Sequence, residues 1–361
     1  MDLLQKIAAA QAKNTLFFAD GLFLSYRQND FIAYKRPDEN LFISASIVFI
    51  LEGIKNLLST DNQLVIAQIK ANYQKSVSLF QQKEGLKTYN FYRTIPKAHF
   101  PNGLILHRFR HFKLPEDIDD TALAFLTTTP TKQEVLTLRE KLKNHANLSR
   151  LQIENTFPHY RQLRVYSTWF GEKMPIEFDA CALCNLLYLF HQFEIENNEF
   201  DADSIAFLAQ ILERKEFLHA PLRVALNYPR PALIIYHYAR LMEKFKIEAL
   251  EKNRNLLIES TLNLLSNEKN QSERLLLETA FMKLSHQLPP EKSSDLMLNN
   301  KPKPFFIAGF LSGFPNVFLK KLAAWPLLQI NWQSDALDAA LLLENQVLKQ
   351  RFATDAKDVY F

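Results

Sequence analysis

Asp179-Ala180-Cys181-Ala182-Leu183-Cys184-Asn185-Leu186 places small or apolar residues on every side of a helix and an acid at its head. A helix without a polar stripe is buried on most of its faces. Stretches of the same kind open near Ser44, Asp119, Pro231, Ser272 and Ser334. They include Phe42-Ile43-Ser44-Ala45-Ser46-Ile47-Val48-Phe49, Asp119-Asp120-Thr121-Ala122-Leu123-Ala124-Phe125 and Pro231-Ala232-Leu233-Ile234-Ile235-Tyr236. Glu273 to Ala280 and Asp335 to Leu341 complete the set. Between them lie segments with one apolar stripe and more charge: Asn62 to Gln81, Thr131 to His145, Asp201 to Arg214 and Glu248 to Asn263. A buried helix alternating with an amphipathic one describes an inner and an outer ring. The pattern predicts that residues 1–361 form a single all-α domain. Its architecture would be an (α/α)6 toroid of about six helical hairpins, with inner-helix N-termini rimming a central cavity.

Composition agrees. Only 7 of 361 residues are glycine, against 29 phenylalanines, and neither a G-x-G-x-x-G nor a G-x-x-x-x-G-K-[ST] motif occurs. Dinucleotide and P-loop folds therefore lose their main signature. The net charge is +4, from 43 basic and 39 acidic residues, and the basic clusters Lys35-Arg36 and Arg108/Arg110 are small. No nucleic-acid partner is expected from such a balance. The lone C-x-x-C of Cys181 and Cys184 has too few companions for a zinc site, so two buried thiols in a reducing compartment are expected. Met1-Asp2-Leu3-Leu4-Gln5-Lys6 does not read as a signal peptide. The longest uncharged apolar runs, Leu41 to Leu51, Ala180 to Phe190 and Phe305 to Leu319, stay below the roughly 18 residues of a spanning helix. The expectation is a cytoplasmic protein without a transmembrane segment, with peripheral membrane contact left open.

Two long irregular segments, Leu86 to Leu114 and Thr156 to Phe178, run directly into inner helices. Loops of that length in a compact domain commonly carry function. The first ends at Asp117-Ile118-Asp119-Asp120-Thr121-Ala122. Asp117 is a natural N-cap, and Asp119 and Asp120 fall in the first turn against the positive end of the helix dipole. Three carboxyls in one turn also repel, and burial disfavours their charged forms. At least one should then hold a proton at neutral pH, as a Brønsted acid among aromatic rings.

D-x-D-D-T-A at the head of a helix in an α-toroid resembles the acid motif of class II terpene cyclases. The resemblance implies that Asp119 protonates a double bond or epoxide of an isoprenoid, with Asp117 and Asp120 polarising it. Protonation needs no cofactor; magnesium would enter only with a diphosphate substrate. The D-D-x-x-D motif of ionisation-type synthases is absent, and so is the Q-x-x-x-G-x-W repeat of triterpene cyclases. Trp169, Phe170, Tyr166 and Tyr236 are the expected substrate-binding rings, and Arg108, Arg110, Lys35 and Arg36 the expected cations at the cavity mouth.

Other readings stay beside it. His107 and His111 flank Arg108 and Arg110, which suits an anion better than a metal. His237 is expected as a satisfied core histidine, and Asp201-Ala202-Asp203-Ser204 as a helix cap. The alternatives at the level of function are a catalytically silent ring that binds a lipid or protein, and a carbohydrate-active toroid.

Overall fold

A computed structural model describes residues 3–13, 15–82, 87–95, 114–170, 174–290, 303–309 and 316–358. In chain order, α1 (Leu3–Ala9) precedes strands β1 (Tyr26–Asn29) and β2 (Tyr34–Pro37). Helices α2 (Leu41–Ile54), α3 (Thr60–Val77), α4 (Ile118–Thr127), α5 (Lys132–Lys143), α6 (Ala180–Gln192) and α7 (Glu199–Glu213) follow. The short α8 (Glu216–His219) and α9 (Pro221–Val224) lead into α10 (Pro231–Lys244), α11 (Glu248–Glu251), α12 (Arg254–Asn267) and α13 (Gln271–Ser285). The chain closes with β3 (Phe306–Gly309), α14 (Val317–Ala323), β4 (Gln329–Gln333) and α15 (Asp335–Asp358).

The protein is mostly helical with one small antiparallel sheet. Of the segments expected to be buried helices, those in α2, α4, α6 and α10 are buried along nearly their whole length, whereas at the head of α15 Asp335 is exposed and Asp338 and Ala339 are half-buried. Every residue of α6 from Ala180 to Leu187 is buried, and so is every residue of α10 from Ala232 to Met242. These helices pack in cyclic order: α2 on α4, α4 on α6, α6 on α10, α10 on α13, α13 on α15, and α15 back on α2. The striped helices α3 and α12 lie against α2 and α13. Burying a Leu, Ile or Phe side chain contributes about 1.5–3 kcal/mol. The contiguous apolar cluster from Leu4 to Val347 is therefore what holds the helices together.

Helix starts are set by side-chain caps. Asn40, Asp117, Asp179 and Asn270 accept backbone N–H bonds at the heads of α2, α4, α6 and α13. Gly21 fixes the N-terminal loop against α3. Its φ is +86°, and a Cβ there would fall 2.2 Å from the Asn72 carbonyl oxygen, so only glycine fits.

The sheet, ordered β2-β1-β4-β3, departs from the all-helical expectation. After α13 the described chain forms β3, α14 and β4 where a sixth amphipathic helix would fall. Each strand has only 4 or 5 residues; β4, Gln329-Ile330-Asn331-Trp332-Gln333, does alternate polar and apolar residues, a strand signal that the all-helical expectation passed over. The sheet is fastened to the head of α2. Trp332 of β4 donates its indole N–H to Asp38 (2.6 Å), Tyr92 donates its hydroxyl to the same carboxyl (3.2 Å), and Arg27 of β1 lies 3.5 Å away. Asp38 is fully buried, and burial pushes its carboxyl up to about 6 despite these partners.

Candidate functional site

The heads of α4 and α6 meet in a buried group of carboxyls. Asp117 sits in extended backbone before α4, and its Oδ1 accepts from the Asp119 N–H (3.0 Å) and the Asp120 N–H (2.8 Å). The segment before α6 docks beside it: Ile118 N–H donates to Thr168 O (2.9 Å) and Phe170 N–H to Glu116 O (3.0 Å). That bridge sets Trp169 opposite Asp117. Asp179 plays the same capping part for α6, accepting from Cys181 N–H (2.9 Å), and its second oxygen takes the Asn227 N–H (2.9 Å). The half-buried Glu177 hydrogen-bonds Trp169 and feels the charges of Asp179 and Asp117.

Burial is the main reason these acids hold protons. It pushes Asp117 up to about 7, Asp179 up to about 7 and Glu177 up to about 8. Asp120 is driven well above the carboxylate range by burial first, then by the Asp117 charge and the hydrogen bond between the two side chains. Its Oδ1 has no hydrogen-bond partner among the described residues. A buried polar atom without a partner costs about 1–3 kcal/mol.

Asp119 differs from its neighbours. Its Oδ1 accepts from the Asn185 amide (2.6 Å) and its Oδ2 from the Tyr228 hydroxyl. Arg240 of α10 donates to Asn185 Oδ1 (2.7 Å), so a guanidinium stands one amide away from the carboxyl. Burial raises Asp119, while Tyr228, Asn185 and Arg240 pull it back. The Arg240 guanidinium lies over the rings of Tyr236 (4.9 Å) and Phe49 (5.1 Å). Tyr236 in turn donates to Glu344 (2.6 Å), which pairs with Lys283 at 3.1 Å.

Aromatic rings crowd the other side of Tyr228. Phe42 of α2, Phe305 and Phe306 stand 5.6–6.1 Å from it, and His237 stands 4.8 Å away. His237 is buried, with Nδ1 2.8 Å from the Leu233 carbonyl oxygen. Burial and Arg240 lower it well below the usual histidine range, so it is neutral.

The structure brings together Asp117, Asp119, Asp120 and Trp169, and joins Tyr236 to them through Arg240 and Asn185. It does not bring Tyr166 or Phe170 to the carboxyls of Asp119. Tyr166 donates to Asp201 of α7 (2.8 Å) and stacks on Phe200, while the Phe170 ring lies beside Lys141 and His145 of the α5 side. Lys35 and Arg36 are exposed on the edge strand β2. Arg108, Arg110, His107 and His111 lie outside the described residues. Asp201 belongs to a capping box whose N-cap is Asn198, and Cys181 and Cys184 are buried free thiols. No group of residues able to hold a metal ion occurs among the described residues.

Asn185, Tyr228, Arg240, Glu177 and Asp179 were not singled out as site residues by sequence reasoning. Asn185 and Arg240 left a trace, since each is a polar residue inside an otherwise apolar helix. Two surface clefts, one lined by Lys87, Phe125 and Glu134 and the other by Gln11, Gly21 and Asn72, are not lined by the acid cluster. Comparison with known protein families, with curated proteins and with solved structures finds no match.

Proposed function

We propose that the six cyclically packed helices constitute an (α/α)6 toroid, and that the protein is a class II terpene cyclase-like enzyme of the isomerase type. In this reading Asp119 gives its proton to a carbon–carbon double bond or epoxide of an isoprenoid. The resulting cation is stabilised by the π faces of Tyr228, Phe42 and Phe305 and by Trp169, and ends by losing a proton. Asp120, hydrogen-bonded to Asp117, is the reservoir from which Asp119 is recharged. The observation that carries the reading is the group of buried carboxyls at the heads of α4 and α6, pushed upward by that burial and bordered by aromatic rings. Strongly raised carboxyls in an apolar setting are the arrangement acid catalysis requires. Protonation needs no cofactor, and magnesium would serve only to hold a diphosphate. No helix of the described residues is long and apolar enough to cross a membrane. The free buried thiols support a cytoplasmic setting, with substrate met in solution or at a membrane surface.

A second reading rests on a specific observation. Both oxygens of Asp119 already accept hydrogen bonds, and rings pack against its Tyr228 partner. That geometry suits a catalytically silent ring in which Asp119 holds α4, α6 and the loop before α10 together. Incubation with farnesyl and geranylgeranyl diphosphate, followed by mass spectrometry of the products, separates the two. Cyclised product from the native protein, lost in Asp119→Asn with the fold intact, supports the enzyme. Absence of turnover from both, together with a fall in stability of Asp119→Asn, supports the silent ring.

A further inference from the structure

The sheet carries a corner that the acid site does not use. The tip between β1 and β2, Asp30 to Ala33, and the turn before β4, Ala324 to Leu327, are each exposed over four consecutive residues. Phe31, Ile32, Trp325 and Leu327 are 47–68% exposed, and Phe318 of α14, which packs against the same turn, is equally open. The two segments are locked to each other. The Asn29 side-chain amide donates to the carbonyls of Pro326 (3.1 Å), Leu327 (2.9 Å) and Gln329 (2.8 Å), while its oxygen accepts from Phe31 N–H (2.9 Å). Ala33, at φ 48°, closes the tip in the left-handed region. A strained, cross-linked turn that holds large apolar side chains in water is a preorganised contact surface.

Charge tells what it contacts. The two exposed runs hold one acid, Asp30, while Lys35 and Arg36 stand exposed directly behind the tip on the edge strand. Trp and Phe at the front with cations behind is the order in which a bilayer presents its acyl boundary and its anionic headgroups. A second copy meeting the same corner would bring two pairs of cations together.

We propose that this corner seats the protein on the surface of an anionic lipid bilayer, with Phe31, Ile32, Trp325, Leu327 and Phe318 entering the headgroup boundary and Lys35 and Arg36 meeting lipid phosphates. The proposal stands whether or not the acid cluster is catalytic.

The full chain is tested against vesicles of phosphatidylcholine with and without phosphatidylglycerol. Trp325 is exposed while Trp332 is buried and Trp169 half-buried, so a blue shift of tryptophan emission on vesicle addition reports on this corner. Expected are co-sedimentation with the anionic vesicles and a blue shift. Phe31→Glu with Trp325→Glu should weaken partitioning at least tenfold. Lys35→Gln and Arg36→Gln should each weaken it about fivefold on anionic vesicles, and have little effect on neutral ones. Far-UV circular dichroism of every variant checks the fold, and the two glutamine variants leave the apolar contacts untouched. Failure of the native chain to bind either vesicle overturns the proposal, as does binding indifferent to Phe31→Glu/Trp325→Glu. Light scattering that shows an oligomer dissolved by those variants, without vesicle binding, assigns the corner to a second copy and also overturns it.

Discussion

Replacing Tyr228 by Phe removes one hydroxyl and nothing else from the centre of the site. The ring is fully buried and keeps its contacts with Phe42, Phe305, Phe306 and His237, so no cavity opens. What is lost is the donor to Asp119 Oδ2. Hydrogen bonds to a charged group contribute about 1.5–3 kcal/mol, and the remaining donor, Asn185, reaches only the other oxygen. Tyr228→Phe should therefore cost about 2 kcal/mol where Asp119 is ionised. The pH dependence follows from the sign of the interaction. Tyr228 favours the carboxylate and lowers a group that burial has raised. Its contribution is present above the folded-state value of Asp119 and disappears as pH falls through it. Urea unfolding of variant and native protein, followed by circular dichroism at pH 8 and again at pH 4, gives the difference at each pH. A double-mutant cycle with Asp119→Asn then isolates the pair, and a coupling of at least 1 kcal/mol at pH 8 is expected. A loss below about 0.5 kcal/mol at pH 8 would refute the hydrogen bond from Tyr228 to Asp119 and leave Tyr228 a packing residue.

Asp117→Ala leaves the Asp119 and Asp120 N–H groups without their acceptor and should cost about 2 kcal/mol in thermal melts; Asp117→Asn, which keeps an oxygen, should retain most of it. The native protein should lose stability as pH rises from about 5 to 8.5. Folded Asp117 and Asp179 at about 7 and Glu177 at about 8 keep protons that the unfolded chain has already released, so unfolding releases protons throughout that window. A melting temperature flat or rising over that range contradicts the buried cluster. Trp332→Phe removes the N–H donor to Asp38 and should cost about 2 kcal/mol at neutral pH, with amide exchange in β1 and β4 accelerating before exchange in α6; uniform acceleration across both would show that the sheet and helices open as one unit.

The buried helices were legible because composition alone separates them from their neighbours. Asp179 to Leu186 has no polar stripe, and it is buried as expected. The cap at Asp117 was legible too, since a short acid two and three residues ahead of free N–H groups is a local signal. The sheet was not. Tyr26-Arg27-Gln28-Asn29 carries no alternation of its own, and it joins Gln329-Ile330-Asn331-Trp332-Gln333 in one sheet only by pairing across the length of the chain. The same distance hid half of the site: Asn185, Tyr228 and Arg240 reach Asp119 or one another across 55 to 109 residues. Tyr166 and Phe170 precede the buried helix α6 as expected, yet Tyr166 found its acceptor in Asp201 of α7. A hydroxyl follows the nearest buried acceptor, which spacing along the chain does not reveal.

The pairing of β1 with β4 has a consequence for how the molecule comes into being. Gln28 hydrogen-bonds Gln333 across 305 residues, and α15 packs on α1 and α2. On the ribosome, the first strands and the first core helix therefore emerge long before their partners exist. Until α15 is released, α2 exposes an apolar flank and β1 an unpaired edge, both aggregation-prone surfaces. Closure by such distant contacts carries a large loop entropy and makes for slow folding. A chain that stops short of β4 would thus leave β1 and α2, both within its first fifty-four residues, without the partners that cover them.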